Sequence, residues 1–115
     1  MKCKNLEVWK RSCRLSVAIY RHFKTCTDYG FKDQITRSSL SIASNIAEGF
    51  EKESNKEKIR FIEIAKGSIA ELMTQIYIGI EIDYIEKTIG ITWANEAEEL
   101  AKMLSSLKKN YTKEK

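Results

Sequence analysis

Residues 38–47 read Ser38-Ser39-Leu40-Ser41-Ile42-Ala43-Ser44-Asn45-Ile46-Ala47 and carry no charge, in a chain where 31% of residues are Asp, Glu, Lys or Arg. At that frequency a given window of ten is uncharged only roughly 2% of the time, so the run has a cause. Its side chains are small or flat enough to let another backbone approach closely, and Glu48 and Gly49 follow directly. Such a segment is expected to be buried on more than one side. Ile35, Ser39, Ile42, Ile46 and Gly49 step by four and three, the spacing of one helical face, and Leu40, Ala43 and Ala47 add a second small apolar strip beside it.

The same periodicity recurs on either side of this helix. Leu6, Trp9, Cys13, Ser16, Tyr20 and Phe23 form a seam that predicts a first helix, broken at Thr25–Gly30, with Gly30 as a left-handed stop. Ser54 followed by Glu57 is a capping-box signature, and Ile62, Ala65, Ile69, Leu72, Ile76 and Gly79 then form a third seam in a helix of about 28 residues, about 42 Å long. Gly90 and Thr92 suggest a turn and a new cap after the ambiguous stretch 83–91. Trp93, Ala97, Leu100, Leu104, Leu107 and Tyr111 line a fourth helix whose basic end, Lys108, Lys109 and Lys113, suits a C-terminus. Four amphipathic helices with short connections predict an all-α fold, an up-down-up-down antiparallel four-helix bundle with left-handed packing.

Composition agrees. The chain has no proline and five glycines in 115 residues, the usage of a mostly helical protein, and its length fits a single domain spanning 1–115 with a core that needs no metal or disulfide. Cys3, Cys13 and Cys26 are odd in number and form no CxxC, so a reducing cytoplasm is the expected compartment. No run approaches a membrane span or a signal-peptide core, no internal repeat is visible, and only the last few residues are expected to be disordered. The net charge is +4, but residues 1–37 hold nine Lys and Arg against three Asp and Glu. The N-terminal third is therefore the expected place for an anionic partner.

Three stretches carry a resemblance. They are Leu6-Glu7-Val8-Trp9-Lys10, the run from Gln34-Ile35 through Arg37-Ser38-Ser39 to Ser41-Ile42-Ala43-Ser44-Asn45-Ile46-Ala47-Glu48-Gly49, and Ile64-Ala65-Lys66-Gly67-Ser68 with Glu71, Leu72 and Gln75. With them the chain resembles, nearly end to end, the four-helix bundle protein family encoded in 23S ribosomal RNA intervening sequences. The resemblance implies a homopentameric ring without enzymatic activity. The family is similar to the accessory bundle proteins of diversity-generating retroelements, which implies RNA as a partner by analogy. Ser38 and Ala43 stand where the family pattern often has Ala and Pro, so the second helix is expected to be straighter.

Arg37, Ser41, Ser44 and Glu48 share one helical stripe. Without an activated nucleophile, a second carboxylate or a histidine beside it, Glu48 is not expected to act as a catalytic acid or base. Arg37 and Glu48 are instead expected to pair with Ser68, Glu71 or Gln75 on the third helix or a neighbouring subunit, and Asn45 to be satisfied by nearby backbone or side chains. Ala43, Ala47 and Gly49 complete this structural and oligomer motif.

His22, the only histidine, is expected at the surface. A di-iron bundle needs paired Glu-x-x-His motifs that one histidine cannot supply, so no metal or cofactor is expected. The Arg-x4-6-His spacing of helical toxin-type ribonucleases is also absent. Lys10, Arg14, Arg21 and Lys24 fall within roughly an 80° arc on the flank of the first helix, where cations at fixed intervals suit phosphates. Trp9, Tyr20, Phe23, Trp93 and Tyr111 are expected in the core, with Tyr77 and Tyr84 at a subunit contact. The expected function is RNA binding by a basic oligomeric surface, with no small-molecule substrate and no membrane. The rival is an assembly or adaptor protein that docks another protein, with the basic stripe incidental.

Overall fold

The computed structural model describes residues 1–112 and contains four helices, α1 (Glu7–His22), α2 (Tyr29–Phe50), α3 (Asn55–Glu81) and α4 (Lys87–Thr112). Lys113 and the expected disorder of the last residues lie outside the described range. Neighbours around the square are α1 with α2, α2 with α3, α3 with α4, and α4 with α1, which is the antiparallel arrangement that short connections impose. The result is a rod 50 Å long and 22 Å by 21 Å across. Its length follows from α3, whose 27 residues span about 40 Å at the helical rise.

The expected seams of α2 and α3 are the buried ones, from Ile35 to Gly49 and from Ile62 to Gly79. On α4, Trp93, Ala97, Leu100 and Leu104 are buried, with Leu107 and Tyr111 packed at the edge. On α1 the register is different. Val8, Ser12, Leu15, Ser16, Ile19 and Phe23 face the core, while Trp9 and Cys13 are half-buried and Tyr20 is 43% exposed. Two overlapping registers both satisfy the three-four spacing. The register adopted buries the aliphatic Val8, Leu15 and Ile19 and leaves the hydroxyl of Tyr20 in water.

The connections also differ from expectation. Gly30 does not stop α1 in a left-handed turn, since no glycine has positive φ and Gly30 lies in the first turn of α2. The boundary is set by Asp28, whose carboxylate caps α2 by accepting the Phe31 N–H at 3.1 Å. Ser54 caps α3 at 3.1 Å, but Glu57 turns to Arg60 at 3.2 Å, so the reciprocal half of the capping box is not formed.

Helix α4 starts at Lys87, before the expected turn, with Gly90 buried inside it. A Cβ there would lie 2.6 Å from Ile80 Cγ1, so this glycine marks the close approach of α3 to α4. Thr92 bonds back to the Thr88 carbonyl at 3.0 Å within the helix instead of capping it. The turn itself uses Asp83 at φ 66, a conformation Asp tolerates better than most residues.

Helix α2 runs unbroken through Ala43, and its uncharged run is buried on two sides. Toward α1, Ser39 Oγ donates to the Thr36 carbonyl, which leaves Ser16 to donate to Ser39 at 3.0 Å. Toward α3, Ser38 donates to Gln75 Oε1 at 2.6 Å and Ser68 donates to Ser41 at 2.9 Å. The second strip is less buried than expected. Ala43 is 6% exposed, Ala47 is half-buried, and Leu40 is 48% exposed.

Candidate nucleic-acid interface

Because the core of α1 sits on Val8, Leu15 and Ile19, helical geometry sends Lys10, Arg14 and Arg21 to the opposite, outward face. They project away from the bundle rather than along its flank. Lys24 lies past the last residue of α1 and is exposed in the connection to α2, so its position does not follow from helical spacing. Glu7 approaches both Lys10 (3.7 Å) and Arg14 (3.9 Å), while Arg21 and Lys24 make no ion pair among the described residues. Exposed Val17 sits between Arg14 and Arg21. The stripe is thus a sparse row of solvated cations, strongest at its Arg21–Lys24 end, and suited to loose contact with phosphates.

Arg11 stands apart from this arc, since it lies between two stripe residues in sequence but turns toward α4. Its guanidinium grips Glu96 with Nε at 2.8 Å and Nη2 at 2.7 Å, a bidentate clamp across the α1–α4 seam. That hydrogen bond holds the Glu96 carboxyl below the usual glutamate range, against a smaller opposing effect of burial. No local spacing could have paired the two residues.

On α2 the stripe of Arg37, Ser41, Ser44 and Glu48 divides. Arg37 is exposed and pairs with Asp33 one turn earlier at 3.0 Å. Neither it nor Glu48 reaches Ser68, Glu71 or Gln75 within the chain. Of those α3 partners, Gln75 and Ser68 are taken by Ser38 and Ser41, whose short hydroxyls allow the backbones to approach where Arg and Glu would hold them apart. Asn45 is satisfied as expected, its amide donating to the Ser41 carbonyl (2.8 Å) and hydroxyl (2.9 Å). Ser44 and Glu48 are exposed. Gly49 is buried where an added Cβ would lie 2.7 Å from Phe61 Cβ.

His22 is half-buried rather than at the surface. Its Nε2 lies 2.9 Å from the Tyr84 carbonyl, which makes that nitrogen the donor, and its ring meets Phe23 and Trp93 edge-on. Tyr84 is 37% exposed, and its hydroxyl donates to Asp28 Oδ2 at 2.7 Å. That bond lowers the Asp28 carboxyl, with the Phe31 N–H adding to the effect, and it raises the Tyr84 phenol. The cluster laces the α1–α2 and α3–α4 connections together at one end of the rod. Tyr77 is 65% exposed. The three cysteines are free, with burial raising the Cys3 and Cys13 thiols. Among the described residues no three His, Cys, Asp or Glu side chains gather as metal ligands, and no helix is long and apolar enough to cross a membrane.

The family model described as 23S rRNA-intervening sequence protein matches residues 4–106. A crystal structure of a protein of unknown function from the S23 ribosomal protein family of Bacteroides thetaiotaomicron superimposes with a TM-score of 0.83 at 26% identity, covering 89% of this chain and 98% of that one. No curated protein matches the chain. A match from Lys4 to Ser106 takes in the core of all four helices and the whole uncharged run. The chain belongs to the 23S rRNA-intervening sequence protein family.

Proposed function

We propose that this protein is a non-enzymatic homo-oligomer, pentameric by its family resemblance, that binds structured RNA through basic surface residues repeated around the assembly. The observation that carries the reading is the outward placement of Lys10, Arg14 and Arg21 opposite the core face of α1. In one protomer these cations give a weak site. Symmetry would repeat them, and repeated weak contacts become an avid surface. Recognition would be by charge and shape, with little base readout. A cytoplasmic location follows from such a partner. The groups suited to acid–base chemistry are disposed otherwise, with His22 bonded to a backbone carbonyl and edge-on to Phe23 and Trp93, and Glu48 exposed.

Filter binding to ribosomal RNA fragments over a range of salt tests the reading. A salt-dependent affinity that falls in the Lys10→Glu, Arg14→Glu, Arg21→Glu protein supports it, and salt-independent or unchanged binding overturns it. A second reading, an adaptor that docks another protein, is favoured by exposed apolar side chains on α2 and α3, among them Leu40, Tyr77 and Ile78, with Ile82 just beyond α3. A stoichiometric protein partner whose capture is indifferent to those charge reversals would select it. Light scattering on a sizing column tests the oligomer in both cases, and a monomer would undercut the avidity.

A further inference from the structure

The cations counted along the sequence regroup in the fold. At the end of the rod opposite the His22–Tyr84 cluster, Lys52, Lys56, Lys58 and Arg60 from the α2–α3 corner meet the last turns of α4, which carry Lys108 and Lys109. The junction is fixed by Tyr111 packing edge-on against Phe50 at 6.2 Å and by Lys108 Nζ at 2.7 Å from Glu63. The N-terminal turn adjoins it, with the Lys2 N–H donating to Glu51 at 3.1 Å, and brings Lys2 and Lys4. These eight cations exceed the six carboxylates of the same end, Glu7, Glu48, Glu51, Glu53, Glu57 and Glu63. Four of the six are already engaged, Glu51 by the Lys2 backbone N–H, Glu57 by Arg60, Glu63 by Lys108 and Glu7 by Lys10 and Arg14.

The cations are also held in place. Lys52 Nζ lies 5.4 Å and Arg60 Cζ 5.1 Å from the Phe61 ring centre, and Lys58 Nζ lies 5.7 Å from that of Phe50. Rings covered in this way steady flexible side chains, which lowers the entropy lost on binding, and they are not free to stack on bases. Lys56 and Lys109 are exposed and form no ion pair among the described residues. Several of these cations surround the start of α3, where the helix dipole disfavours positive charge, so their placement does not serve the helix. Along α1, by contrast, two of the cations share Glu7 and the fourth lies beyond the helix.

We infer that this basic end of the bundle, built from the α2–α3 corner, the last turns of α4 and the N-terminal turn, is a second RNA-binding surface that contacts backbone phosphates. The inference rests on RNA being the partner and is independent of the α1 stripe. The test is fluorescence anisotropy of a labelled RNA hairpin, titrated at several salt concentrations with the full chain. Lys52→Glu, Lys56→Glu, Arg60→Glu should weaken binding about ten-fold or more and reduce the salt slope by about three, with helical circular dichroism unchanged.

Unchanged affinity and slope in that variant overturn the inference. If only the Lys10, Arg14 and Arg21 reversals weaken binding, the α1 surface stands and the basic end falls; loss only in the basic-end variant reverses that outcome. No RNA binding by the unsubstituted protein overturns both. Competition by polyglutamate as effective as by RNA would overturn the phosphate assignment. Should the variant fail to fold, protection of Lys52, Lys56 and Lys109 from acetylation when RNA is added to the unsubstituted protein decides the matter. Protection of these lysines supports the inference, and equal modification with and without RNA overturns it.

Discussion

The α2–α3 seam and the α1–α4 seam solve the same packing problem by opposite means. Between α2 and α3, small side chains bring the backbones together, Gly49 meets Phe61 directly, and short hydroxyls satisfy one another across the gap. Between α1 and α4 the contact is looser and is bridged by the Arg11–Glu96 clamp. A close seam leaves no room for a charged head group, while an open seam can use a long ion pair as a strut. The difference accounts for the uncharged run: it is long because α2 must fit α3 and α1 at once, through Ser38 and Ser41 on one flank and Ser39 on the other.

The largest effect is expected where the close side is asked to accept a charge. Ala43→Lys puts an ammonium on the buried flank one turn from Ser39, and it should cost roughly 3 kcal/mol or more, read as loss of the urea unfolding transition. A wild-type melt would mean that this flank is not closely packed. Gly49→Ala tests the contact with Phe61, whose Cβ cannot swing away, and should cost about 2 kcal/mol in the same measurement. Ser41→Ala removes the acceptor shared by Ser68 and Asn45 and should cost about 1 kcal/mol, with Ser41→Thr closer to wild type.

The open seam should be more tolerant. Arg11→Met is expected to lower stability by about 1 kcal/mol or less near neutral pH, because the pair is about a third exposed. Its pH dependence sharpens the contrast. The Glu96 carboxyl is lowered in the folded state, so the pair contributes above the ordinary glutamate value of 4.5 and its contribution fades as pH falls through the lower folded value. Thermal melts of the two proteins should therefore converge in acid, whereas the Gly49→Ala difference should persist. A constant gap for Arg11→Met would show that its alkyl stem, not its charge, holds the seam.

Much of the fold was legible because α2, α3 and α4 each carry one continuous seam at three-four spacing, from Ile35 to Gly49, from Ile62 to Gly79 and from Trp93 to Leu104. The face of α1 was not, because two registers fit its spacing and only the partners on α2 and α4 choose between them. Gly30 and Gly90 look alike in sequence as turn residues. One lies in an open first turn and the other against Ile80, a distinction that depends on what packs nearby. The candidate site was legible in its parts and not in its grouping. Lys10, Arg14 and Arg21 are on one face by helical geometry alone, but Arg11 is drawn to Glu96, and the basic end assembles residues from the beginning, middle and end of the chain.

The sequence by itself determined the number and type of helices, the faces of three of them, the cap at Ser54, and the need for a close uncharged packing strip in α2. These depend on neighbours within one or two turns, where the 3.6-residue period and local hydrogen bonding govern. Only the tertiary structure decided which register α1 buries, where α4 begins, which hydroxyls face which helix, and which cations stand together. Charge pairing and close approach are set by distance in space, and four antiparallel helices bring together residues that local spacing cannot relate.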